Sequence, residues 1–118
     1  MDKENRRHTR IDSINLTYFA LNENDETIKQ SIGRTLNVSK SGILLETHIP
    51  ITEKQKVLLS IGLEDDLVDI KGSVVYAAAC GDGKYKTGIE FYDVDETSFQ
   101  ILKLFIDYFN STRERDKV

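Results

Sequence analysis

A chain of 118 residues with 39% hydrophobic and 31% charged side chains has the size and composition of one globular domain around a single core. Its longest apolar run, Val74-Val75-Tyr76-Ala77-Ala78-Ala79-Cys80, is far short of the roughly 20 residues of a membrane helix, so no membrane insertion is expected. The net charge of −4 and pI near 5.2 argue against a nucleic acid polymer as partner, because such partners reward a broad basic face.

Positive charge is nevertheless concentrated at one end. Lys3, Arg6, Arg7 and Arg10 against Glu4 give residues 3–10 a balance of +3, while the remainder sums to −7. No apolar stretch follows this basic segment, as a secretory signal would require. The single cysteine excludes an internal disulfide and any multi-cysteine metal site, and a cytoplasmic setting is expected.

Most of the middle alternates with a period of two, the pattern of half-buried strands. Ile14, Leu16, Tyr18 and Ala20 share one face of a first strand. The polar run Asn22-Glu23-Asn24-Asp25-Glu26 reads as a turn, and a second strand follows over Thr27–Leu36. Gly42–Thr47 reads as a short buried strand. Val57, Leu59, Ile61 and Leu63 alternate in a fourth, and Val68, Ile70, Gly72, Val74 and Tyr76 in a longer fifth. Gly81-Asp82-Gly83 is a turn signal, and Lys84–Phe91 returns as the last strand.

The period then changes. Phe99, Leu102, Ile106 and Phe109 recur at spacings of three and four, which predicts an amphipathic helix over 95–110 with Asp93 or Asp95 as its N-cap. Ile101, Leu104, Phe105 and Tyr108 widen the apolar stripe. That leaves two readings: packing on the strands, or a surface for a protein partner or for a homodimer. About six short strands and one helix predict a mainly β fold, a small antiparallel barrel or sandwich with an appended helix.

Little in this pattern supports catalysis. His8 and His48 lie in no metal-ligand or nucleophile motif, so neither an enzyme nor a metal site is expected. Cys80, ending an apolar strand, reads as a small core residue. Asn37-Val38-Ser39-Lys40-Ser41-Gly42 consists of turn formers and reads first as a tight connection between strands.

Beside the N-terminal arginines, that connection acquires a second meaning. Arg6 and Arg10 form R-x-x-x-R, with Arg7 doubling the first arginine, and N-x-S-x-x-G follows about 27 residues later. Gly72-Ser73-Val74-Val75-Tyr76 and Thr87-Gly88-Ile89-Glu90-Phe91 then precede the helix. Over about Asn5 to Phe109 this order resembles the PilZ domain, a bacterial receptor module for cyclic di-GMP.

The resemblance implies a single domain. Residues 1–11 would form a flexible arginine-bearing arm, 12–92 a six-stranded antiparallel barrel (PilZ-like split barrel), 95–110 a C-terminal helix and 111–118 a tail. It further implies that Arg6, Arg7, Arg10, Asn37, Ser39 and Gly42 bind cyclic di-GMP, as one ligand or an intercalated pair, with no other cofactor. Binding would be passed to an unidentified downstream protein. A guanidinium suits this ligand because its planar fork can bond a phosphate bidentately or grip the O6/N7 edge of guanine. The alternative within the same fold is an adaptor that binds proteins but not the dinucleotide.

Overall fold

The computed structural model describes residues 15–63 and 66–117, with the side chains of 62–66 and 112–117 outside the description. Six strands run in chain order: β1 (Asn15–Leu21), β2 (Thr27–Val38), β3 (Gly42–Thr47), β4 (Lys56–Leu63), β5 (Asp66–Gly81) and β6 (Lys84–Phe91). All pair antiparallel and close into a barrel in the order β1-β2-β3-β6-β5-β4. Closure pairs every strand on both sides and removes the edges that an open sheet would have to protect. The expected six-stranded antiparallel barrel with a C-terminal helix is therefore the observed fold.

Alternation fills the interior. Leu16 and Tyr18 from β1, Ile43 and Leu45 from β3, and Val57, Leu59 and Ile61 from β4 point inward. They meet Ile70 and Val74 from β5 and Ile89 and Phe91 from β6 in one buried cluster. Thr35, Thr47 and Thr87 are buried polar residues among them; the Thr47 hydroxyl donates to the Ile49 carbonyl at 3.0 Å and lies 3.3 Å from the Thr87 hydroxyl.

Connections follow their local chemistry. Between β1 and β2, the Asn22 side-chain oxygen accepts from the amides of Asn24 and Glu26 at 2.8 and 2.9 Å, which closes the turn. Gly81, Asp82 and Gly83 all have positive φ, the conformation their residue types tolerate best, and they reverse β5 into β6.

The helix α1 (Glu96–Lys117) begins at Asp95, whose carboxylate accepts from the Ser98 amide at 2.7 Å while its carbonyl accepts from Phe99 at 2.9 Å. Asp95 rather than Asp93 is thus the cap; Asp93 has φ 53° in the approach. The helix runs past the expected limit of 110 through most of the expected 111–118 tail. The apolar period stops at Phe109, but Arg113, Glu114, Arg115 and Lys117 are good helix formers and no proline or glycine intervenes.

Two readings of the alternation are corrected. Tyr76 does not continue the inward row of β5: a bulge between Val74 and Tyr76 turns it out, 49% exposed, with Val75 beside it. Cys80 is exposed, not core, because the β5–β6 hairpin outruns the interior it would have to fill. In the helix, Leu102, Phe105 and Phe109 are buried against the barrel, where α1 packs on β4 and β5. Leu104 is 51% exposed.

Candidate ligand-binding site

Asn37 does not lie in a loop. It is the penultimate residue of β2, and its orientation depends on an irregularity in the strand. Gly33 and Thr35 face inward, so simple alternation would bury Asn37 as well. A bulge between Thr35 and Asn37 shifts the register by one, so that Asn37 pairs with Leu44 and Val38 with Ile43. Val38 then enters the core and Asn37 reaches the surface.

The connection from β2 to β3 is only Ser39-Lys40-Ser41. The Ser39 amide donates to the Gly42 carbonyl at 2.8 Å, and the Ser41 amide donates to the Ser39 hydroxyl at 3.3 Å. The Ser39 and Ser41 hydroxyls are 3.2 Å apart. The Phe91 amide donates to the Ser41 carbonyl at 2.9 Å, which ties the turn to the end of β6. Lys40 stands exposed in the turn, a cation inside the motif that the pattern N-x-S-x-x-G passes over.

Gly42 has a structural reason to be glycine. A Cβ there would lie 2.5 Å from the Ile89 carbonyl oxygen, a backbone atom of the paired strand β6. The close approach is therefore between two strands of the barrel.

Asn37, Ser39 and Gly42 are brought together around an open depression of about 180 Å³, completed by Val38, Ile43 and Leu44. The Asn37 side-chain oxygen accepts from the Val38 amide at 3.0 Å, an internal bond that leaves its second lone pair and its amide hydrogens for other partners. Arg6, Arg7 and Arg10 lie outside the described residues. The point at which the chain enters the barrel is described, however. Asn15 pairs with Arg34, three residues before Asn37 on the neighbouring strand. The N-terminal side of β1 and the β2–β3 turn thus belong to the same barrel end.

Arg34 itself is a cation the sequence did not single out. It sits 3.9 Å from Glu46 across β2 and β3, with 56% of its side chain exposed. A solvent-exposed pair of this kind contributes little to stability. Among the described residues no cluster of three or more His, Cys, Asp or Glu side chains could hold a metal ion. Among them, too, no helix is long and apolar enough to cross a membrane.

The sequence matches the PilZ domain over residues 4–108, which spans both half-motifs, the whole barrel and most of α1. The chain belongs to the PilZ domain family.

Solved structures agree with that assignment at the level of fold. The PilZ domain of YcgR from Escherichia coli, a structure with c-di-GMP, is similar with a TM-score of 0.61 and 11% identity. The match covers 88% of this PilZ chain and 89% of that one. MrkH of K. pneumonia in its apo state is similar with a TM-score of 0.59 and 14% identity, covering 86% of this chain and 49% of MrkH. A second MrkH structure gives 0.59 and 15%, covering 86% and 47%. The PilZ chain thus spans about half the length of MrkH. No curated protein matches the sequence.

Proposed function

We propose that this PilZ domain is a receptor for cyclic di-GMP that closes its N-terminal arginines over the Asn37–Gly42 turn and signals the closure to a protein partner. The observation that supports this reading is the pairing of Asn15 with Arg34, because β1 begins at the barrel end that carries the turn. Asn37 is three residues beyond Arg34, roughly 10 Å along the strand. Arg10 is five residues before Asn15, and five residues of chain span at most about 17 Å.

The chemistry of the two halves is complementary. Cyclic di-GMP presents two phosphates and two guanines. The arginines supply the planar donor forks, and the only strongly basic window of the chain, residues 3–10, supplies charge against a remainder of −7. Asn37 and Ser39 supply hydrogen-bonding groups at the surface of a rigid, closed scaffold. Ordering of an arm on binding would change the surface that a partner meets. The family's role as a receptor or adaptor domain, rather than an enzyme, supports this reading.

Calorimetric titration with cyclic di-GMP tests the proposal. Saturable binding that Arg10→Ala abolishes or greatly weakens, and that Lys3→Ala barely changes, is the expected result. No heat at ligand concentrations well above micromolar would leave an adaptor that works by protein contact alone. Equal losses from the two variants would reduce the arm to general charge attraction.

A further inference from the structure

Arg34 lies between the two halves of the proposed dinucleotide site. On one side it pairs with Asn15, the first residue of β1, and on the other with Glu46 of β3. Asn37 follows on the same outer face of β2. Arg34 and Asn37 are three residues apart in β2, yet their partners Glu46 and Leu44 are only two apart in β3. The bulge between Thr35 and Asn37 takes up the extra residue. It therefore does two things: it turns Asn37 outward, and it draws Asn37 closer to Arg34 than three residues of straight strand would allow. Leu44, which lines the depression beside Asn37, and Glu46 are successive residues of the outer face of β3.

The guanidinium of Arg34 has donors to spare. Its Nη1 is 3.9 Å from the Glu46 carboxylate, whereas a charge-assisted hydrogen bond measures about 2.7–2.9 Å. The contact is therefore Coulombic and leaves the planar fork open to another acceptor. The arginine side chain is 56% exposed and that of Glu46 only 22%, so the carboxylate is the enclosed partner and the arginine the one with room to turn. Exchanging so exposed a pair for another anion costs the fold little.

We infer that Arg34 is a further binding residue of the dinucleotide site: when cyclic di-GMP binds, its guanidinium leaves Glu46 and donates bidentately to a phosphate held between the arm and the turn. The inference rests on the proposed function and adds to it a residue outside both sequence motifs. A phosphodiester carries a negative charge and two unbridged oxygens, which match the guanidinium fork. Glu46 is then a competitor, because it holds Arg34 in the free protein and places negative charge beside the ligand.

Calorimetric titration of the intact chain with cyclic di-GMP tests this. Arg34→Ala should weaken binding at least tenfold, and Arg34→Lys nearly as much, since an ammonium lacks the fork. Lys29→Ala removes the same charge five residues earlier on β2, roughly 17 Å away, and should change affinity by less than about twofold. Glu46→Gln should tighten binding several-fold. The thermal midpoint of ligand-free Arg34→Ala should equal that of the unmodified protein, which separates a lost ligand contact from a damaged fold. Full affinity in Arg34→Ala, or equal losses in Arg34→Ala and Lys29→Ala, overturns the inference while the receptor reading stands. Weaker binding by Glu46→Gln also overturns it, because the carboxylate would then be a ligand contact rather than a competitor. Absence of binding by the unmodified protein overturns both.

Discussion

Gly42 of β3 lies so close to the backbone of Ile89 in β6 that a Cβ on the glycine would sit 2.5 Å from the Ile89 carbonyl oxygen. The glycine of the N-x-S-x-x-G motif is thereby fixed by the barrel itself. Any role it has in the proposed ligand site is added to a requirement of folding.

That contact predicts a ranking of two substitutions. Gly42→Ala must displace strand backbone and should cost about 1–3 kcal/mol. Gly33→Ala meets the end of the Leu45 side chain at 3.1 Å, which can turn aside, and should cost less. Urea denaturation of the two variants measures the order, and the reverse order would mean that β3 and β6 are not so closely apposed.

The phase of the helix predicts a second contrast. Phe105 is 1% exposed and joins the barrel core, so Phe105→Ala should cost about 3–5 kcal/mol. Leu104, its neighbour, is 51% exposed, and Leu104→Ala should stay within about 0.5 kcal/mol. Comparable losses at both positions, read by thermal unfolding, would contradict the observed docking of α1 on β4 and β5.

Asp95 predicts a pH dependence confined to acid. The hydrogen bond from the Ser98 amide, assisted by the Ser98 side chain, holds its carboxyl below the ordinary value of 3.8. A depressed folded-state value means that the contribution is complete above 3.8 and disappears as pH falls through the folded value. Asp95→Ala should therefore lower the thermal midpoint at pH 7 and have progressively less effect as the pH is taken below 3.8. Asp95→Asn, which keeps the accepting oxygen, should retain most of the stability at neutral pH.

The carboxamide at position 37 predicts the sign of an affinity change. Guanine offers a ring N–H and an exocyclic amine side by side, which a carboxylate can accept together and an amide cannot. On the proposed function, Asn37→Asp should bind cyclic di-GMP several-fold more tightly, up to about tenfold, in calorimetric titration. Weaker binding would place Asn37 near a phosphate rather than a guanine edge.

Much of the fold was legible because its signals are local. The two-residue alternation of Val57, Leu59 and Ile61, the Gly81-Asp82-Gly83 reversal and the change of period after Phe91 each lie within a dozen residues. Asn37, Ser39 and Gly42 could be proposed as one cluster for the same reason. The orientation of Asn37 could not, because it depends on a bulge defined only against β3.

The sequence by itself determined the number of strands, the terminal helix with a cap at Asp93 or Asp95, and the order of the motifs that identify a PilZ domain. These follow from periodicity, turn chemistry and spacing, which need no knowledge of what lies far away in the chain. Tertiary structure decided the rest. Strand pairing placed two bulges that turn Asn37 and Tyr76 outward, where unbroken alternation would have sent them in. The length of the β5–β6 hairpin left Cys80 exposed. Of a helix with apolar residues on most sides, β4 and β5 selected the face carrying Leu102, Phe105 and Phe109. In each case the sequence supplied apolar or polar side chains in plenty, and long-range register chose which of them the core would accept.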